Sequence, residues 1–176
     1  MDPVLIWTSA IILSGLLLTA GWHKSAAPGY YRDLISAYTG MPASLAAPAR
    51  CGVVLLELAS GLLLLLPASR MIAAWATLGL LLSYSGLIAV SLARGLNMDC
   101  GCAGPHRRLK LSPWLLFKNA VLIGLAWLLT YPQSSRVIGV GDMLVVLLSS
   151  SVSILIYLTF EQLLSNQDGL VLLRNR

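Results

Sequence analysis

The chain has 176 residues, 57% of them hydrophobic and 11% charged, with a mean hydropathy of +0.81; a soluble domain cannot cover that much apolar surface, so the solvent is lipid. Its formal charge of +5 is scattered among apolar segments rather than gathered on a basic, aromatic-laced face, which argues against nucleic acid as a partner and leaves membrane orientation as the role of the Lys and Arg residues. Three cysteines are too few for the disulfide framework of a small secreted protein, and spans of about 20 residues each use most of the length, leaving one membrane domain over 1–176.

The first apolar run, 4–22, has only Met1, Asp2 and Pro3 before it, without the basic segment of a cleaved signal, and reads as a span. It closes at Gly21, Trp22, His23 and Lys24, an aromatic followed by polar anchors, and His23 reads as an interface anchor. The next connector places Tyr31, Leu34, Ile35 and Tyr38 at helical spacing, which predicts a short helix over 30–38 on the membrane surface, ended by Gly40 and Pro42. A second span is expected over 51–66, stopping at Pro67, and a third over 71–93. The few residues between them, Arg70 included, make these helices antiparallel neighbours. The stretch 94–112 is polar and carries two cysteines; Ser112 and Pro113 then supply an N-cap and first-turn pair for a fourth span, 113–131. A fifth span, 143–160, has Asp142 before its first turn, and beyond Glu161 a short, mostly polar tail is expected. The fold class is therefore all-α, a polytopic membrane helical bundle. Gly15 and Thr19, and Gly79 and Ser83, stand four apart and are the expected points of close helix packing.

With five spans, Lys24, Arg32, Arg50, Arg94, the basic cluster from Arg107 to Lys110, Lys118, Arg174 and Arg176 fall on one side of the membrane, against Arg70 and Arg136 on the other. The positive-inside rule, taken alone, puts the cysteine loop in the cytoplasm.

That loop holds the chemically distinctive residues. Cys100 and Cys102 flank Gly101, whose backbone freedom suits a small disulfide ring; a bond so closed is strained and exchanges readily with thiolates. His106, Arg107, Arg108 and Lys110 favour a thiolate, whereas Asp99 opposes it or relays a proton. The same residues allow two other readings: Cys100, Cys102 and His106 as a soft-metal array lacking a fourth ligand, or an incidental loop. Cys51, at the start of the second span and on the same side, is either a disulfide relay or a small packing residue. Glu57 lies about 10 Å into the second span and Lys118 about 8 Å into the fourth, by helical rise. An acid in the membrane is a functional candidate, as a proton acceptor or a quinone-headgroup contact, with Lys118 the expected partner; the bland reading is a buried ion pair fixing helix register.

With these residues in view, the chain resembles the MauE family of methylamine-utilisation membrane proteins, related to the wider DoxX-like group. The likeness is carried by the His23-Lys24 exit of the first span, the connector from Tyr30 to Pro42, Leu56-Glu57-Leu58 with Gly61, and above all Asp99-Cys100-Gly101-Cys102-Ala103-Gly104. It implies a four-helix core with a fifth transmembrane helix, residence in the bacterial inner membrane, and a role in maturing the disulfide-rich small subunit of periplasmic methylamine dehydrogenase, beside MauD, a thioredoxin-like partner. Cys100 and Cys102 would be the exchanging pair, with a membrane quinone as a candidate acceptor and the thiol loop facing the periplasm, against the charge count. The expected function is thus membrane thiol-disulfide exchange, its rivals being a non-catalytic anchor or assembly factor and a metal-handling protein.

Overall fold

In a computed structural model the described residues are 1–95, 112–134, 136 and 138–174, with 164–174 as backbone only. They form six helices: α1 (Pro3–Ala26), α2 (Pro28–Thr39), α3 (Ala43–Leu64), α4 (Arg70–Ala93), α5 (Pro113–Leu128) and α6 (Val140–Arg174). Among them α1, α3, α4 and the Val140–Leu163 part of α6 are long and apolar enough to cross a membrane, while α5 is apolar but shorter. The molecule is an all-helical, multi-pass membrane bundle.

The helix ends follow local chemistry. Asp2 caps α1, its carboxylate accepting from the Val4 amide at 2.8 Å, and Pro3 occupies the first turn, where a missing N–H costs nothing. Gly40 ends α2 in the left-handed region at φ 72, its amide donating to the Ser36 carbonyl at 2.8 Å, a conformation that disfavours any side chain. Two elements outrun the sequence expectation. Helix α3 starts at Ala43 instead of 51: alanines carry the helix through Pro48, which forfeits one backbone bond. Helix α6 continues to Arg174, where a short tail was expected beyond Glu161.

Helix α1 is the axis of the bundle. Ile6, Ala10, Leu13 and Leu17 pack with Leu64 of α3, Ala73, Ala74 and Leu78 of α4, and Ala126 of α5. Outside this seam the apolar side chains point outward: Leu55, Ile72 and Leu148 are 68%, 72% and 66% exposed, whereas Ser9, Ser14, Ser60, Thr77 and Ser150 are buried. This inversion is expected in lipid, where leucine gains nothing by turning inward and small residues let backbones approach.

The close approach falls elsewhere than the four-residue spacing suggested. A Cβ on Gly21 would sit 2.8 Å from the Leu58 side chain, and one on Gly61 would sit 3.0 Å from Leu18 and 3.4 Å from Leu17. Gly15 and Gly79 face open space, and the hydroxyls of Thr19 and Ser83 donate to the carbonyls of Gly15 and Gly79 within their own helices. The contacts of Gly21 with Leu58 and Gly61 with Leu18 also make α1 and α3 antiparallel.

One end of the bundle is closed by a polar lattice around the N-terminus. The Met1 ammonium donates to the Pro132 carbonyl at 3.0 Å; Arg136 bridges Asp142 and Asp2; and Arg70, buried against the Trp7 ring, donates to the Leu64 carbonyl and Gln133. Thr8 and Ser149 bond at 3.1 Å, so α1 and α6 run parallel. Gly61→Leu is expected to destabilise the α1–α3 seam by about 1–3 kcal/mol through overpacking, while Gly79→Leu stays within about 0.5 kcal/mol; unfolding of the two variants in detergent micelles makes the comparison.

Candidate functional site

The opposite end of the bundle holds the buried charges. Glu57 on α3 is 0% exposed at its side chain and accepts, on Oε1, from Lys24 Nζ of α1 at 2.5 Å and from the Tyr84 hydroxyl of α4 at 2.6 Å. Gly21 brings α1 onto α3 closely enough for the Lys24 stem to reach inward, and Arg50 donates to the Lys24 carbonyl at 3.0 Å, satisfying one of the last carbonyls of α1. The Lys24 ammonium also lies 5.1 Å from the Tyr84 ring centre and 5.9 Å from that of Tyr31 on α2. Glu57 Oε2 and His23 Nδ1 are buried and find no partner among the described residues. Outside the spans, burial first, then Tyr30 and the Glu57 carboxylate, push the Tyr31 phenol up to about 12.

A second cluster repeats this chemistry. Lys118 on α5 donates to Glu161 of α6 at 2.8 Å and to the Tyr157 hydroxyl at 3.0 Å, and that hydroxyl donates to Glu161 at 2.8 Å. The ammonium lies 4.8 Å from the Tyr157 ring centre. Helices α1 and α6 advance equally per residue, so the pairing of Thr8 with Ser149 carries Glu161 to about the level of Ala20, within a turn of Gly21, which packs on Leu58 and Glu57. The two Lys–Tyr–Glu triads thus lie at similar depth.

This corrects one expectation: Lys118 is not the partner of Glu57. Depth along a span was read correctly enough to put both near the same level, but depth says nothing about azimuth, and Lys118 faces α6 while Lys24 reaches Glu57 from α1. Lys24, Tyr84, Tyr157 and Glu161 were missed. Glu161 was findable, since it follows directly on the fifth expected span and faces the side of the membrane from which Lys118 enters; Tyr84, inside an apolar run, gave no signal.

Cys51 is exposed on α3 and makes no disulfide among the described residues, with the Arg50 guanidinium 3.4 Å from its sulfur. It stands at the Lys24 end of the bundle. Asp99, Cys100, Gly101, Cys102 and His106 lie outside the described residues, as do the thiol pair and the metal array read from them. Among the described residues no three His, Cys, Asp or Glu side chains group as metal ligands. The connector 96–111 joins the C-terminal end of α4 to the N-terminal end of α5. The 6.0 Å contact of Trp75 with Trp127 makes those helices antiparallel, so both stems stand at the end where the triads lie. Tyr84 ties the first stem to one triad, and Lys118 ties the second to the other.

Fold and site define a multi-pass membrane protein with two Lys–Tyr–Glu triads, each centred on a buried carboxylate, at the end where the stems of the cysteine-bearing connector stand. The family described as methylamine utilisation protein MauE matches residues 2–132, and the chain belongs to that family. The methylamine utilization protein MauE of Methylophilus methylotrophus is 25% identical over 163 residues, covering 91% of this chain and 86% of that protein. No solved structure matches the chain. The match stops short of α6, so Glu161 and Tyr157 lie beyond the family region while Lys24, Glu57 and Tyr84 lie within it.

A double-mutant cycle for stability on Lys24 and Glu57 is expected to give a coupling of about 1–3 kcal/mol, and one on Lys118 and Glu57 to give none; Lys24→Met alone, which strands a buried carboxylate, is expected to cost about 3 kcal/mol or more. The Tyr31 phenol is held neutral in the folded chain, so its contribution to stability is complete below its ordinary value of 10.0 and is lost as pH rises from there to about 12. Ultraviolet titration of phenolate absorbance checks this, with Tyr31→Phe removing the late-ionising component.

Proposed function

We propose that the chain is a membrane thiol-disulfide exchange protein that acts through Cys100 and Cys102 in the maturation of a disulfide-rich periplasmic enzyme. By family resemblance that client is the small subunit of methylamine dehydrogenase, and the partner is a MauD-like protein of thioredoxin fold. The observation that carries the reading is the Asp99-Cys100-Gly101-Cys102 sequence in the connector between α4 and α5, in a chain that belongs to the MauE family. The described geometry lends support through the two stems of that connector, each fixed by a buried triad, which suits a loop that must meet a partner repeatedly in one place.

In the exchange, the thiolate of one cysteine attacks a disulfide sulfur of the partner, forming a mixed disulfide and releasing a partner thiolate. The second cysteine then attacks the mixed disulfide, closing the Cys100–Cys102 bond and releasing the partner as a dithiol; two electrons pass from the pair to the partner. Run in reverse, the same steps pass them inward, and a membrane quinone is then the electron acceptor in keeping with the lipid setting. His106, Arg107, Arg108 and Lys110 stabilise the attacking thiolate by charge, and Asp99 relays its proton. The function calls for an inner-membrane protein whose thiol connector faces the periplasm, with the surface helix α2 beside it as part of the docking surface.

Cys100→Ser and Cys102→Ser are each expected to abolish client maturation, and one of them to trap a covalent complex with the partner that a reductant releases. The readout is the disulfide state and abundance of the client in cells carrying each variant. Maturation that survives both changes would make the chain a non-catalytic assembly factor, and stoichiometric metal lost on His106→Ala would make it a metal-handling protein. Cys51→Ser decides the relay: loss of maturation there places Cys51 in the electron path, and retention confines exchange to the pair.

A further inference from the structure

The two Lys–Tyr–Glu triads share their residue types and the convergence of ammonium and phenol on one carboxylate oxygen, yet they differ in two respects. Glu57 keeps Oε2 buried with no donor among the described residues, whereas Glu161 leaves no buried oxygen in that condition. Lys24 lies over two aromatic rings, Tyr84 and Tyr31, while Lys118 lies over Tyr157. A carboxylate carries about four lone-pair sites, and an ionised one far from water is stable only when these are met. Lys24 and Tyr84 meet one oxygen of Glu57 and leave the other, buried, without a donor among the described residues.

We propose that Glu57 is a proton-exchange site of the membrane domain, taking up and releasing a proton at Oε2, and that the Lys118–Tyr157–Glu161 triad is its fixed structural counterpart. On uptake an O–H bond forms at Oε2, and the ion pair with Lys24 becomes a hydrogen bond from an ammonium to a neutral carboxyl. The Lys24 charge then rests on the faces of the two tyrosine rings and on its own partial exposure, 14% at the side chain, through which it reaches the bundle end. On release the proton returns to the same end, and the ion pair reforms.

The groups that bear on this titration come from four helices. They are Lys24 and, one residue before it, His23 on α1; Tyr31, with Tyr30 beside it, on α2; Arg50, bonded to the Lys24 carbonyl, on α3 itself; and Tyr84 on α4. Two of the three closest are phenols, neutral through the physiological range, and the third is the ammonium that accompanies the carboxylate. The charge of the Lys24–Glu57 pair therefore alternates between zero and one positive as the proton comes and goes, beside the Arg50 guanidinium.

The test uses the full-length protein, purified and reconstituted, treated with dicyclohexylcarbodiimide, an apolar reagent that adds to protonated carboxyl groups, with the adduct located by peptide mass spectrometry. Glu57 is expected to be modified, less so as pH rises, while Glu161 in the same sample stays unmodified. Infrared titration of the untreated wild type checks the result independently of reagent access: a carbonyl band of a protonated carboxyl in an apolar setting appears as pH falls, and Glu57→Gln removes it while Glu161→Gln does not. No adduct on Glu57 together with no such band in the wild type overturns the proposal. Equal modification of Glu57 and Glu161 overturns the distinction between the triads, and with it the assignment. A Glu57→Gln chain that fails to fold leaves the two wild-type measurements to decide.

Discussion

A carboxylate in the interior of a lipid-embedded bundle is the constraint on which this structure turns. Glu57 is wholly buried, and an unpaired charge there is prohibitive, so the ammonium of Lys24 and the hydroxyl of Tyr84 must be brought to it. Meeting that demand fixes three helices at once. Helix α1 has to run close to α3, which Gly21 and Gly61 permit, and α4 has to present Tyr84 at the same height. The repeat of the same solution at Lys118, Tyr157 and Glu161 fixes α5 and α6 in the same way. A membrane bundle has little hydrophobic force with which to choose among helix arrangements, and two directional polar clusters provide the register that apolar packing cannot.

Polarity is distributed unevenly along the bundle axis. At one end the N-terminus, Arg70, Gln133 and the Asp2–Arg136–Asp142 chain lash the α3–α4 turn and the segment after α5 to the start of α1. At the other, the polar groups are drawn inside as triads, beside the surface helix α2. A fold laced at one end and internally pinned at the other holds the two stems of the cysteine connector at the pinned end.

Much of the architecture was legible because lipid imposes long apolar runs, and runs of that length are unambiguous in a sequence. The surface helix was legible from Tyr31, Leu34, Ile35 and Tyr38, and its end from Gly40. The start of α3 was not, because Arg50 and Pro48 look like a boundary while the alanines around them continue the helix. The packing was misread for a physical reason: Gly15 with Thr19 and Gly79 with Ser83 have the spacing of a helix contact, but their hydroxyls bond within their own helices, and contact falls at Gly21 and Gly61. At the site, Glu57 and Lys118 announced themselves as charges in apolar surroundings, while their partners depended on azimuth, which linear depth does not encode. Lys24 looked like an anchor at the end of a span and is the counter-ion of a buried carboxylate instead. The thiol pair was read from Cys100, Gly101 and Cys102 alone, and it lies outside the described residues.

The stems of the cysteine connector stand at the triad end of the bundle, and the cysteines themselves report which face of the membrane that end meets. Cys51 is exposed and stands at the Lys24 end. Intact cells are treated with membrane-permeant or impermeant maleimide, with and without prior reduction, and the mass shift is read on the wild type and on single Cys→Ser variants. The expected result is that Cys100 and Cys102 react only after reduction, and from the same face of the membrane as Cys51. Free reaction of the pair without reduction would rule out a disulfide between Cys100 and Cys102, and reaction from the face opposite Cys51 would separate the pair from the triad end.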